Sequence, residues 1–81
     1  MPYLKLDRRL ALDMEGARPA SPGELSYLIT DLCKWYLEGA PLSYQKINDI
    51  LGALEGAKLE FYRRVAVPFE EEKIKVNGDV Y

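Results

Sequence analysis

Apolar positions recur at helical spacing through most of the chain. Leu25, Leu28, Ile29, Leu32, Cys33 and Tyr36 fall at i, i+3, i+4, i+7, i+8 and i+11, with Glu24, Asp31, Lys34 and Glu38 elsewhere on the wheel. Ser21-Pro22-Gly23-Glu24, just ahead of this run, combines an N-cap, a first-turn proline and a capping-box glutamate, so a helix is expected to begin there. Gly39 is its natural stop. After Ala40-Pro41-Leu42, Ser43 caps a second stripe made of Ile47, Ile50, Leu51, Leu54, Ala57, Phe61 and Val65. A link this short predicts an antiparallel helical hairpin over residues 21–67.

The flanks are less regular. In residues 1–20, Leu4, Leu6, Leu10, Leu12 and Met14 alternate and fit neither a strand nor a helix securely. Asp7 is placed to cap a short helix from Arg8 to about Glu15, and Gly16, Pro19, Pro22 and Gly23 mark the connection that follows. At the other end Pro68 removes a backbone donor and crowds the preceding turn, so the helix is expected to stop or kink there. Residues 68–81 have two readings. Phe69 to Lys75 runs from acids to bases as a helix dipole prefers, whereas Lys73 to Val76 alternates ahead of the hairpin signal Asn77-Gly78. The short helix with an extended tail is favoured. The fold class is therefore all-α: a helical hairpin with a short N-terminal arm or helix and a kinked C-terminal extension, one small domain over residues 1–81.

Composition narrows the function classes. At 81 residues the chain has room for one domain, and cores this small usually need a disulfide, a metal or self-association. Cys33 is the only cysteine and there is no histidine, so neither an intrachain disulfide nor an ordinary zinc site is expected. Self-association into a homo-oligomer is the remaining supplement. Six Tyr, two Phe and one Trp favour it, because exposed rings suit interfaces. Eleven basic and thirteen acidic side chains are interspersed, which argues against general nucleic-acid binding. No stretch reads as a leader or a membrane span, so a cytoplasmic location and no membrane partner are expected.

Candidate chemistry concentrates on the second long helix. Gly52, Gly56, Leu59 and Arg63 line up opposite the apolar stripe, and two glycines four apart in a helix interior suggest close approach of another helix; this is the expected oligomer interface. The plain alternative is that both glycines are tolerated on a solvent face. Lys58 projects into the apolar arc beside Tyr62, either as a ligand-facing ammonium or as a stem covering the core whose head pairs with Glu55 or a tail carboxylate. Glu60-Phe61-Tyr62-Arg63-Arg64 sets two guanidinium groups and a phenol within one turn. Glu60 is in reach of both arginines, but repeated between subunits the group would form a cationic, aromatic pocket for phosphates and bases. Lys58, Tyr62, Arg63 and Arg64 are thus the candidate ligand site. Glu70-Glu71-Glu72 reads as a solvated face and not a metal site, and Cys33 reads as a small buried thiol with no base to activate it. No catalytic motif, metal or cofactor is expected.

Three runs carry a resemblance: Gly23-Glu24-Leu25-Ser26-Tyr27-Leu28-Ile29-Thr30, Asn48-Asp49-Ile50-Leu51-Gly52-Ala53-Leu54-Glu55 and Lys58-Leu59-Glu60-Phe61-Tyr62-Arg63-Arg64-Val65. With Ser43-Tyr44 and the ending Pro68-Phe69-Glu70-Glu71 through Lys73 to Asn77-Gly78-Asp79-Val80-Tyr81, the chain resembles a family of short proteins of unknown function encoded in phages and in bacterial and archaeal genomes. The likeness covers roughly residues 23 to 81 and Met1-Pro2-Tyr3, while Leu10 to Ala20 departs from the family pattern and looks shortened. It implies that Tyr27, Asn48, Glu55, Glu60, Arg63, Arg64 and the tail belong to a shared design, and it implies no activity.

The expected function is non-catalytic binding. Its first form is a phage-type oligomer that holds or sequesters a small anionic, nucleotide-like ligand at Tyr62, Arg63 and Arg64 of adjacent subunits. Its second is a structural or regulatory module that binds a host protein through its aromatic surface and C-terminal tail.

Overall fold

The computed structural model describes residues 3–81, and among these every regular element is helical. The order is α1 (Leu6–Met14), α2 (Pro22–Leu37), α3 (Tyr44–Phe61), a π-helical turn (Tyr62–Ala66) and α4 (Val67–Asn77). The protein is all-α. It divides into two compact units, residues 3–42 and Ser43–Tyr81. Residues 1 and 2, part of the family likeness, lie outside the described residues.

In the first unit α1 starts two residues earlier than Asp7 capping would allow. Lys5 is the extended residue before it and makes no side-chain cap, and Asp7 sits inside the first turn, where a carboxylate opposes the positive end of the helix. Gly16 takes the left-handed conformation (φ 66°), and the Ala17 N–H returns to the Ala11 carbonyl at 3.0 Å. The start of α2 follows the expectation: Ser21 Oγ accepts from the Glu24 N–H at 3.1 Å with Pro22 in the first turn. Glu24 itself departs from a simple capping box. Its Oε1 accepts from the Ala20 N–H at 2.9 Å, and the carboxylate also pairs with Arg8 of α1. Leu12 is the buried apolar residue of this unit, with Gly23 and Glu24 buried at the head of α2.

In the second unit Ser43 Oγ accepts from the Lys46 N–H at 3.2 Å and starts α3 as expected. Pro68 does not end the helix. The disturbance it causes takes the form of the π turn: the Val67 N–H bonds to the Tyr62 carbonyl, one residue further back than in an α-helix, and the backbone on both sides stays α-helical. A wider turn here relieves the clash between the proline ring and the carbonyl four residues earlier. The helical reading of residues 69–77 holds and the strand reading does not. Gly78 (φ 85°) closes α4 by donating its N–H to the Ile74 carbonyl at 2.8 Å, so Asn77-Gly78 is a helix end and not a hairpin turn.

Candidate functional site

Two kinds of surface stand out on the second unit. The first is the charged turn around Tyr62. Arg63 Nη2 donates to Glu60 Oε1 at 2.9 Å, and Arg64 Nε donates to the same oxygen. Two guanidinium groups therefore share one carboxylate, leaving a local excess of positive charge beside the exposed Tyr62 ring. Lys58 stands 3.9 Å from Glu55 Oε1 with its side chain mostly in solvent. The pairing of Lys58 with Glu55 is present. Tyr62, Arg63 and Arg64 come together in the π turn, while Lys58 lies a turn away on α3 with its own partner. The expected seam is open: a Cβ added at Gly52 or Gly56 would meet nothing within 4 Å, and Leu59 is exposed.

The second surface is apolar and was only half visible in the sequence. The second unit contains no buried residue in α3, the π turn or α4. Leu51, Leu54, Phe61, Val65, Phe69 and Val76 are 59, 39, 65, 50, 62 and 74% exposed. Phe61, Val65 and Phe69 follow one another at intervals of four. In an unbroken α-helix each interval of four overshoots a full turn by about 40°, so these side chains would wind away from the stripe. The π turn holds more residues per turn and cancels that drift. Phe69 and Val76 are thereby returned to the face that carries Leu54, Phe61 and Val65. Lys73 lies over the Phe69 ring, its Nζ 5.4 Å from the ring centre, and covers part of the stripe with its stem. The successive intervals of four from Phe61 through Val65 to Phe69, the second of them containing Pro68, were the signal that could have revealed this alignment.

The first unit carries the polar side chains with the clearest positioning. Arg8 grips Glu24 in a fork, with Nε to Oε2 at 2.8 Å and Nη2 to Oε1 at 2.5 Å. The guanidinium and the Ala20 N–H hold the Glu24 carboxyl down at about 2, well below its ordinary value. The Tyr27 hydroxyl donates to Asp13 Oδ2 at 2.6 Å, which raises its pKa because the bond favours the neutral phenol beside a carboxylate. These contacts tie α1 to α2 and read as scaffold. Cys33 is half-buried and free. Beyond it α2 exposes Leu32, Trp35 and Tyr36. Among the described residues no group of three or more acidic or cysteine side chains is placed to hold a metal ion, and no helix is long and apolar enough to cross a membrane.

A family model matches residues 1–80 of the chain. The chain belongs to that family, the domain of unknown function DUF6899. The match runs through Leu10 to Ala20, so in this DUF6899 protein the segment that departed from the expected pattern lies within the family domain. It includes the Asp13 that holds Tyr27. No curated protein and no solved structure matches this DUF6899 chain.

Proposed function

We propose that this protein is a non-catalytic interaction module whose working surface is the apolar stripe of α3 and α4. One observation carries the proposal: a helix running from Tyr44 to Asn77 buries none of its residues while exposing a line of large apolar side chains. Helices of globular proteins gain most of their stability from packing such a face, and contiguous exposed apolar surface marks contact sites. The tail residues Val80 and Tyr81 add exposed apolar and aromatic side chains to the same unit.

The test is native mass spectrometry of gently purified protein, wild type against the double variant Phe61→Asp with Phe69→Asp. A protein complex present in the wild type and lost in the variant is the expected result. The same complex in both would overturn the proposal.

The small-ligand reading rests on a separate observation, the two guanidinium groups that share Glu60 beside Tyr62. A nucleotide-like anion at this turn would take over donors now held by Glu60, and subunits brought together would repeat the group. A co-purified mass of nucleotide size, absent from Arg63→Ala with Arg64→Ala, is the result that would favour it.

A further inference from the structure

Resting on the interaction reading, we propose that the occupant of the α3–α4 stripe is a second copy of this chain, laid antiparallel with its two-fold axis close to Val67 and Pro68. The argument comes from the charges that border the stripe. Counted around the helix with the π turn included, Glu60, Arg64, Glu72 and Lys75 fall along one edge of it. Their side chains are 50, 69, 71 and 76% exposed. In an antiparallel pair of identical helices the same edges meet, and residues whose numbers average to the axis position face each other.

With the axis near residue 68, Glu60 faces Lys75 of the other copy and Arg64 faces its Glu72. The order along one helix is acid then base, and along the reversed helix base then acid, so both contacts join opposite charges and the symmetry doubles them. In a parallel, in-register pair opposite edges meet instead, so these four charges would not face one another. Flanking charges of this sort select partner and orientation in paired helices. The same axis sets Val65 against Phe69 and Phe61 close to Val76, so the apolar positions meet as well.

The size of the surface agrees. Leu54, Phe61, Tyr62, Val65, Phe69 and Val76 leave roughly 500–700 Å² uncovered, taking such side chains at about 150–200 Å² each. With the charged edges this approaches the ~800 Å² per partner of a stable protein interface. The side chains of the charged edge already lean on neighbours of their own helix: Arg64 donates to Glu60, and Lys75 Nζ stands 3.8 Å from Glu72 Oε2. Pairing of two copies turns these into two networks of four charges.

The experiment is sedimentation equilibrium on the purified full chain, with Arg64→Glu, Glu72→Arg and the double charge swap. The wild type is expected to dimerise, each single variant to weaken the dimer about tenfold or more, and the double to return to within about threefold of wild type. Local pairing cannot produce that rescue. In the double variant Glu60 meets a new acid and Lys75 a new base on its own helix, so only contacts between copies are restored. Circular dichroism checks that all four proteins keep their helices. A wild type monomeric up to about 100 µM overturns the second copy. A double variant weaker than either single overturns the antiparallel register. A monomer whose co-purified partner protein is still lost with Phe61→Asp and Phe69→Asp leaves the interaction reading standing without the self-pairing.

Discussion

The two units of this chain solve the problem of a small core in different ways. In residues 3–42 the ties are internal: α1 and α2 are joined by the Arg8–Glu24 fork and the Tyr27–Asp13 hydrogen bond, with Leu12 buried at 5% exposure. In Ser43–Tyr81 the side-chain ion pairs join neighbours three or four apart on the same helix, and no residue of its helices is buried. Such pairs contribute only about 0.2–0.5 kcal/mol each to a helix. Pairs of this size do not replace the packing from which most helices in proteins draw their stability. Charge and periodicity can therefore make a helix legible without making it stable, and in the second unit the proposed contact would supply the rest.

Breaking the contact surface should have the largest effect. Phe61→Asp with Phe69→Asp is expected to abolish association and to lower the far-ultraviolet helical signal of α3 and α4, read by circular dichroism on dilute protein. The first unit should barely respond.

Next in size is the fork of the first unit. Glu24→Ala removes the acceptor of Arg8 and of the Ala20 N–H together and leaves the Arg8 guanidinium without its partner. The expected result is a fall in Tm of roughly 5–10 °C, measured by thermal unfolding. The same group gives the unit a pH dependence. Glu24 has a folded-state pKa of about 2, below its ordinary 4.5, so its contribution is complete above about 4.5 and is lost as pH falls toward 2. Acid titration of the Glu24→Gln variant should lack that step. Tyr27 works in the opposite direction. Its pKa is raised, so its contribution is present below the ordinary phenol range and is lost as pH rises through the folded value.

The smallest expected effect sharpens the choice between faces of α3. Both Gly52 and Gly56 have open space around them, so Gly52→Ala and Gly56→Ala should each stabilise by about 0.4–1 kcal/mol in urea unfolding and leave association unchanged. Weakened association would return the contact to the Gly52, Gly56, Leu59 and Arg63 side.

These differences follow what a single sequence can encode locally. Ser21 with Pro22, and Ser43, announce helix starts through hydrogen bonds to neighbours a few residues away, and both caps were legible. The α2 stripe was legible as a period. The partner of Glu24 was not, because Arg8 lies 16 residues back and the pairing is tertiary. Pro68 was read by its usual consequence for a helix, and the π turn that absorbs it depends on the chain on both sides staying helical. That turn decides which residues share a face, so Phe69 and Val76 were missed as parts of the exposed apolar stripe. Of the candidate site, Tyr62, Arg63 and Arg64 follow one another in the π turn, and Glu60, the acceptor shared by the two arginines, sets the competition that any anionic ligand would meet.

The most direct measurement is amide hydrogen exchange across a series of protein concentrations, read segment by segment. Protection of α3 and α4 that rises with concentration, while protection of α1 and α2 stays constant, is the predicted result. Protection of α3 and α4 that is strong and independent of concentration would contradict a helix held by a second copy.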